Sequence, residues 1–162
     1  EAVSSAIAAF QGGTSIVVDV SMITAGLTPR RLNPLGVKVH HFISDPKVIE
    51  DAKVQGTTRA VQAMRHARNL GLLDGGVVAV GNAPTALLEV LRMVREEDLK
   101  PAMIVGIPVG FISAAESKDE LMQETDVPWM AVSGTKGGST LTVAALHALM
   151  DLALTASGKP HG

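Results

Sequence analysis

Three observations predict an α/β fold, a three-layer sandwich with a mostly parallel, roughly five-stranded central sheet, in one domain spanning residues 1–162. The first is alternation. Short continuous apolar runs are separated by helical patterns in the order α-β-β-α-α-β-α-β-α-β-α, which is how parallel sheets with crossover helices read. The second is composition. The chain is 46% hydrophobic but only 2% aromatic. Its core must therefore be Val, Ala, Leu, Ile and Met, which suits a buried parallel sheet under Ala-rich helices. The third is that several strands run into loops of Gly, Ser, Thr or Asn. The carboxyl edge of such a sheet is where ligands bind.

Glu1 to Phe10 has an amphipathic helical pattern with Val3, Ile7, Ala8 and Phe10 as its apolar residues, stopped by Gln11-Gly12-Gly13. Ser15 to Val20 is a buried strand with one charge, Asp19, near its end. Asp19, Ser21 and Thr24 then place polar groups at that strand's carboxyl end, either to meet a ligand or, for Asp19 or Ser21, to cap the next turn. Thr28 to Pro34 holds two prolines and reads as an irregular connector. Val37 to Ile43 is a second strand carrying His40 and His41. Adjacent strand residues point to opposite faces, so the two histidines are not expected to share a site.

Asp45 and Pro46 start a helix as N-cap and first helical residue, and the helix is expected to run to about Val54. Thr57 or Thr58 caps the next helix, Arg59 to Asn69, which Gly71 closes. Arg59 sits in that helix's first turn, where positive charge opposes the helix dipole; this points to a carboxylate partner for it. Val77 to Val80 is the third strand. Gly81 to Thr85 follows with Asn82 as the expected N-cap of a helix to about Arg95. Glu96-Glu97-Asp98 reads as a solvated helix end. Ala102 to Ile107 is the fourth strand. Beyond it, Ser113 and Glu116 have the spacing of a capping box, and Phe111 stands in a loop where a flat apolar ligand could stack. Trp129 to Val132 is the fifth strand, Leu141 to Leu154 the last helix, and Lys159 to Gly162 a frayed tail.

Composition also excludes classes of function. Net charge is −2, so no basic footprint suggests nucleic acid, and no aromatic platform for stacking bases exists. With no cysteine, disulfides, thiolate chemistry and Cys-ligated metals are out, and no metal site is expected. No apolar run is expected to span a membrane, and no signal peptide is visible, which favours the cytoplasm.

The stretch richest in chemistry is Ser133-Gly134-Thr135-Lys136-Gly137-Gly138-Ser139-Thr140. It lies between a strand and a long helix, where backbone N–H groups face an anion. Lys136 adds a mobile charge, and Thr135, Ser139 and Thr140 add hydroxyls. The lysine precedes the glycine pair, so the spacing is not that of a nucleotide P-loop. The alternative is a tight turn with Ser139 or Thr140 as the helix N-cap.

Taken together, six segments resemble the precorrin-8X methylmutase family of cobalamin biosynthesis. They are Asp19-Val20-Ser21-Met22-Ile23-Thr24-Ala25-Gly26, Ser44-Asp45-Pro46, Gly56-Thr57-Thr58-Arg59, Gly81-Asn82-Ala83-Pro84-Thr85-Ala86, Val105 to Phe111 with Ala114 to Lys118, and Gly134 to Ser139. The resemblance covers essentially the whole chain. It implies a cofactor-free isomerase that moves a methyl group from C11 to C12 of a contracted tetrapyrrole, formally a [1,5]-sigmatropic shift. The substrate is precorrin-8X or cobalt-precorrin-8, and the product is hydrogenobyrinate or its cobalt counterpart. It also implies a homodimer with its site near the subunit interface.

The implied substrate-binding residues are Asp19, Ser21, Thr24, Arg59, Asn82, Thr85, Gly110, Phe111, Thr135, Lys136 and Gly137. Arg59 and Lys136 would meet carboxylates and Phe111 the macrocycle. Asp19, Ser21, Thr24, Asn82 and Thr85 would shape the cleft by hydrogen bonding. The family's acid–base histidine lies upstream of the part that matches Glu1, so an N-terminal truncation is expected. General acid catalysis is worth ~10²–10⁴-fold; a chain that begins at Glu1 is expected to bind substrate or product with little or no turnover. Two rival readings are a non-catalytic corrinoid carrier and a nucleotide- or flavin-binding module of flavodoxin-like architecture. Against the second, one Trp and no Tyr are available to stack a flavin.

Overall fold

The computed structural model describes residues 1–160. Five strands form one parallel sheet: β1 (Ser15–Val18), β2 (Lys38–His40), β3 (Val77–Val80), β4 (Met103–Gly106) and β5 (Trp129–Ala131), in the order β2-β1-β3-β4-β5. The helices are α1 (Ala2–Gln11), α2 (Ser21–Gly26), α3 (Pro29–Leu35), α4 (Pro46–Gln55), α5 (Arg59–Asn69), α6 (Pro84–Glu97), α7 (Ala114–Met122) and α8 (Ser139–Ala156). The strand order reverses between β1 and β3, which opens a crevice at their carboxyl ends.

Period-two alternation splits the strand side chains between two cores. Ile16, Val18, Val77, Ala79, Met103 and Val105 face the layer of α1, α2, α3 and α8, with Phe10, Ile23, Leu146 and Met150 packed on them. Val17, Val78, Val80 and Ile104 face α5, α6 and α7 through Met64, Leu87, Val90 and Leu121. The pairing register keeps these rows level: Val17 is flanked by His40 and Val78, and Val78 by Ile104. Within the second of these layers, an ionic contact joins α5 to α6. Glu89, buried on α6, accepts from Arg92 Nη2 at 2.7 Å and from Arg65 Nε of α5 at 2.9 Å. Burial alone would raise its carboxyl, but the Arg92 and Arg65 hydrogen bonds outweigh that and hold it below the usual range.

Several local expectations are corrected. Thr28 to Pro34 is not irregular: α3 begins with Pro29 at its first position, where no N–H is needed, and Pro34 forfeits one bond one residue before the end. Gly36 then closes it at φ 66°. A six-residue helix, α2, also follows β1, so two helices stand between the first two strands. β2 is an edge strand of three residues, shorter than Val37 to Ile43. Glu96 and Glu97 are not merely solvated; both pair with Arg92. Helix α8 is 18 residues long with mean hydropathy 1.4, enough by length and composition to cross a membrane, contrary to expectation. It is a layer of the core, buried through Leu146, Leu149, Met150, Ala153 and Leu154. In the tail, Lys159 is tied down by a bond from its Nζ to Pro34 O at 2.7 Å. His161 and Gly162 lie outside the described residues.

Candidate functional site

The carboxyl edge is built around Asp19. It is 1% exposed, and its Oδ1 accepts from Gly81 N–H at 2.9 Å while Oδ2 accepts from Asn82 and Ala83 N–H at 2.9 and 2.7 Å. Burial pushes its carboxyl up from the ordinary value, and the three N–H donors pull the other way. The expected N-cap role of Asn82 is therefore corrected. The cap position of α6 is Ala83, with no side-chain cap, and Asp19 satisfies these N–H groups from the neighbouring strand. Gly81 is required here. A Cβ on it would come 2.7 Å from Thr142 Oγ1 and 2.9 Å from Ile23 Cδ1, so the loop packs directly onto α8 and α2.

Around this anchor the other polar candidates join in pairs. Thr24 Oγ1 on α2 lies 3.0 Å from Nδ1 of His41, which is exposed just past β2. His40 goes elsewhere: it stacks on Phe42 at 6.2 Å, and burial, with Lys38 nearby, lowers its pKa. Thr58 Oγ1 caps α5 by accepting from Val61 N–H at 3.2 Å and lies 3.4 Å from Thr85 Oγ1. This draws the first turns of α5 and α6 together. Arg59 is the next residue, exposed, and forms no ion pair or hydrogen bond with another described side chain. Ser21 and Asn82 are exposed at the same edge, and Thr85 is half-buried.

The β4 and β5 loops make the other half. Val109, Gly110, Phe111, Thr135, Lys136, Gly137 and Leu141 line an open groove of about 430 Å³. Five of the sequence-derived candidates thus meet in one place. Its lip is apolar: Phe111 is 98% and Ile112 86% exposed. The expected capping box is not formed. Ser113 adopts a left-handed conformation at φ 64° with no side-chain cap bond, and Glu116 is exposed. Nor does Ser139 or Thr140 cap α8, whose cap position is Gly138 at φ 119°.

The Ser133 to Gly138 loop is held from behind. Gly138 N–H donates to Ile107 O at 2.9 Å, and Lys118 Nζ donates to Lys136 O at 2.6 Å. Gly137 is pressed so closely against the Ile107 and Pro108 carbonyl oxygens that a Cβ would collide with both. A smaller groove of about 220 Å³, lined by Met22, Gly26, Ser139, Thr140 and Val143, adjoins the start of α8. Among the described residues no three His, Asp or Glu side chains gather as a metal site. Sequence reasoning gave no site role to Lys118 or Ile112, and it weighed His41 without joining it to Thr24. The Lys118 contact spans 18 residues and leaves no local signal, whereas a histidine just past a strand's carboxyl end could have been flagged by position.

Fold and edge together define a class: a doubly wound α/β domain whose carboxyl edge carries exposed cations, hydroxyls and an apolar lip. The family model for precorrin-8X methylmutase matches residues 1–152. The chain is 47% identical over 155 residues to a cobalt-precorrin-8 methylmutase of Leptospira interrogans, covering 93% of this chain and 70% of that one. It is 45% identical over 148 residues to a precorrin-8X methylmutase of a Sinorhizobium species, covering 91% and 69%. A solved structure of precorrin-8X methyl mutase from Thermus thermophilus superposes with TM-score 0.87 at 44% identity, over 96% of this chain and 74% of that one. The chain belongs to the precorrin-8X methylmutase family. A phosphoheptose isomerase from Francisella tularensis, 18% identical with TM-score 0.58, shares the fold alone. The family assignment displaces the nucleotide or flavin reading, although the strand order is one that flavodoxin-like proteins also use.

Proposed function

We propose that this chain holds a contracted tetrapyrrole along its carboxyl edge and serves the migration of a methyl group from C11 to C12 of precorrin-8X, or of its cobalt counterpart. One carbon–carbon bond breaks at C11 and one forms at C12, so the molecular formula does not change and no redox cofactor is called for. The chain's residues bind and orient. Arg59 and Lys136 meet substrate carboxylates, where charge-assisted hydrogen bonds are strongest. Phe111 covers a face of the macrocycle, and Asp19 fixes the Gly81 to Thr85 loop beneath it, with Thr24, Ser21, Asn82 and Thr85 shaping the cleft. We further propose a cytoplasmic homodimer, whose interface would cover part of the exposed Phe111 and Ile112 lip.

The observation that carries this reading is that Lys136 lines a groove with the exposed Phe111 at its lip, while Arg59, exposed and without an ion pair among the described residues, stands beside the Thr58–Thr85 contact at the start of α5. Incubation of the chain with precorrin-8X, followed by visible absorbance, tests it. The expected outcome is a bound-substrate spectrum with little turnover by residues 1–162 alone, and conversion to the hydrogenobyrinate spectrum when the family's upstream histidine segment is joined to them. Binding without conversion even with that segment present would favour the carrier reading, and no spectral change at any concentration would overturn both.

A further inference from the structure

We propose that Lys118 is a positioning residue, whose buried ammonium holds the Lys136 carbonyl inward and so presents Thr135 and Lys136 to the ligand. The inference rests on the corrinoid reading above. Lys118 stands on α7 and is 0% exposed. Its Nζ donates to Lys136 O at 2.6 Å. No acidic side chain among the described residues forms an ion pair with it.

A cation buried without a carboxylate is costly, and an apolar side chain of similar length would fill the space better. Packing therefore does not account for a lysine here. The bond it makes does. In the Ser133 to Gly138 loop, the side chains of Thr135 and Lys136 are exposed and make no hydrogen bond with a described residue. The backbone is fixed at Gly138, through its N–H to Ile107 O at 2.9 Å, and at Lys136 by Lys118. Without the ammonium, the residue that carries the mobile cation is tethered on one side only. Burial lowers the Lys118 pKa, with the charge of neighbouring Asp119 acting the other way without forming an ion pair, and the short charge-assisted bond to a carbonyl favours the donor form.

Hydrogenobyrinic acid is titrated into the wild-type chain, Lys118→Met, Lys118→Gln, Lys136→Ala and the Lys118→Met/Lys136→Ala double variant, with visible absorbance as readout. Amide hydrogen exchange is measured on the same samples. Lys118→Met should weaken binding about tenfold, the scale of one hydrogen bond to a charged group. Lys118→Gln, a neutral donor one atom shorter, should recover part of that. Exchange should quicken in residues 133–138 and stay unchanged in α8 beyond its first turn. In the double variant the two losses should not add, because Lys118 acts through Lys136.

Wild-type affinity in both Lys118 variants, or fully additive losses, would overturn the inference, and faster exchange with unchanged affinity would reduce Lys118 to a structural tether. If Lys118→Met does not fold, Lys118→Gln carries the comparison. A wild-type chain that binds no hydrogenobyrinic acid would overturn the corrinoid reading itself, an outcome visible before any variant is read.

Discussion

Two loops of the carboxyl edge are built on opposite principles. The Gly81 to Thr85 loop spends its backbone donors inside the molecule, on the buried carboxylate of Asp19. The Val109 to Ser113 loop puts Phe111 and Ile112 into solvent and bends through a left-handed Ser113. One is fixed by polar groups that a ligand never needs to touch. The other offers apolar surface that the chain itself leaves uncovered. Small polar residues in the first loop therefore serve its shape, while the surface a macrocycle would meet lies in the second and in the adjoining Thr135 to Gly137 segment.

Substitutions should separate the two loops. Asp19→Ala should be the most damaging, because it strips the acceptor from three N–H groups, one of them fully buried. Urea unfolding should show a loss of about 3 kcal/mol. A loss near zero would mean water replaces the carboxylate and the first loop is not anchored as described. Gly137→Ala comes next. Its Cβ would strike two backbone carbonyls, so the chain should lose about 1–3 kcal/mol and ligand affinity together. Phe111→Ala should do the reverse of Asp19→Ala, leaving stability within about 0.5 kcal/mol of wild type while weakening hydrogenobyrinic acid binding several-fold.

The helix layer gives the smallest effect and a control. Glu89 has its folded pKa below the unfolded value, through Arg92 and Arg65 acting against burial. Its contribution is therefore complete above about pH 4.3, the ordinary glutamate value, and is lost as pH falls through the folded value. Glu89→Gln should flatten the acid limb of the stability profile below about pH 4.3 and leave ligand affinity alone. An unchanged acid limb would contradict the role given to that ion pair.

Some local signals in the sequence held, although the equally local Ser113–Glu116 capping box did not form. Asp45 accepts from Lys47 N–H at 2.9 Å and Thr58 from Val61 N–H at 3.2 Å, each within three residues. Apolar runs located β1, β3 and β4, because a strand buried on both faces needs side chains of one kind; the half-buried edge strands β2 and β5 were placed with looser bounds. The sheet's topology then told where loops would gather. Caps were misassigned where the chain answered from a distance. Asn82 and Ser139 had suitable chemistry, but Asp19 and a glycine took the positions. Helix α3 was obscured because Pro34 looks like a breaker, although near a helix end it forfeits one bond only. Of the candidate site, the edge and its cations were legible; Lys118 was not, since nothing near it in sequence reveals that its ammonium reaches the Lys136 carbonyl.

The central claim is that Arg59 and Lys136 both recognise carboxylates of a corrinoid. A visible-absorbance titration of hydrogenobyrinic acid into wild type, Arg59→Ala and Lys136→Ala tests it most directly. Wild type should bind, and each variant should bind about tenfold more weakly with an unchanged melting temperature. Equal affinity in all three proteins, or no binding by a folded wild-type chain, would contradict it.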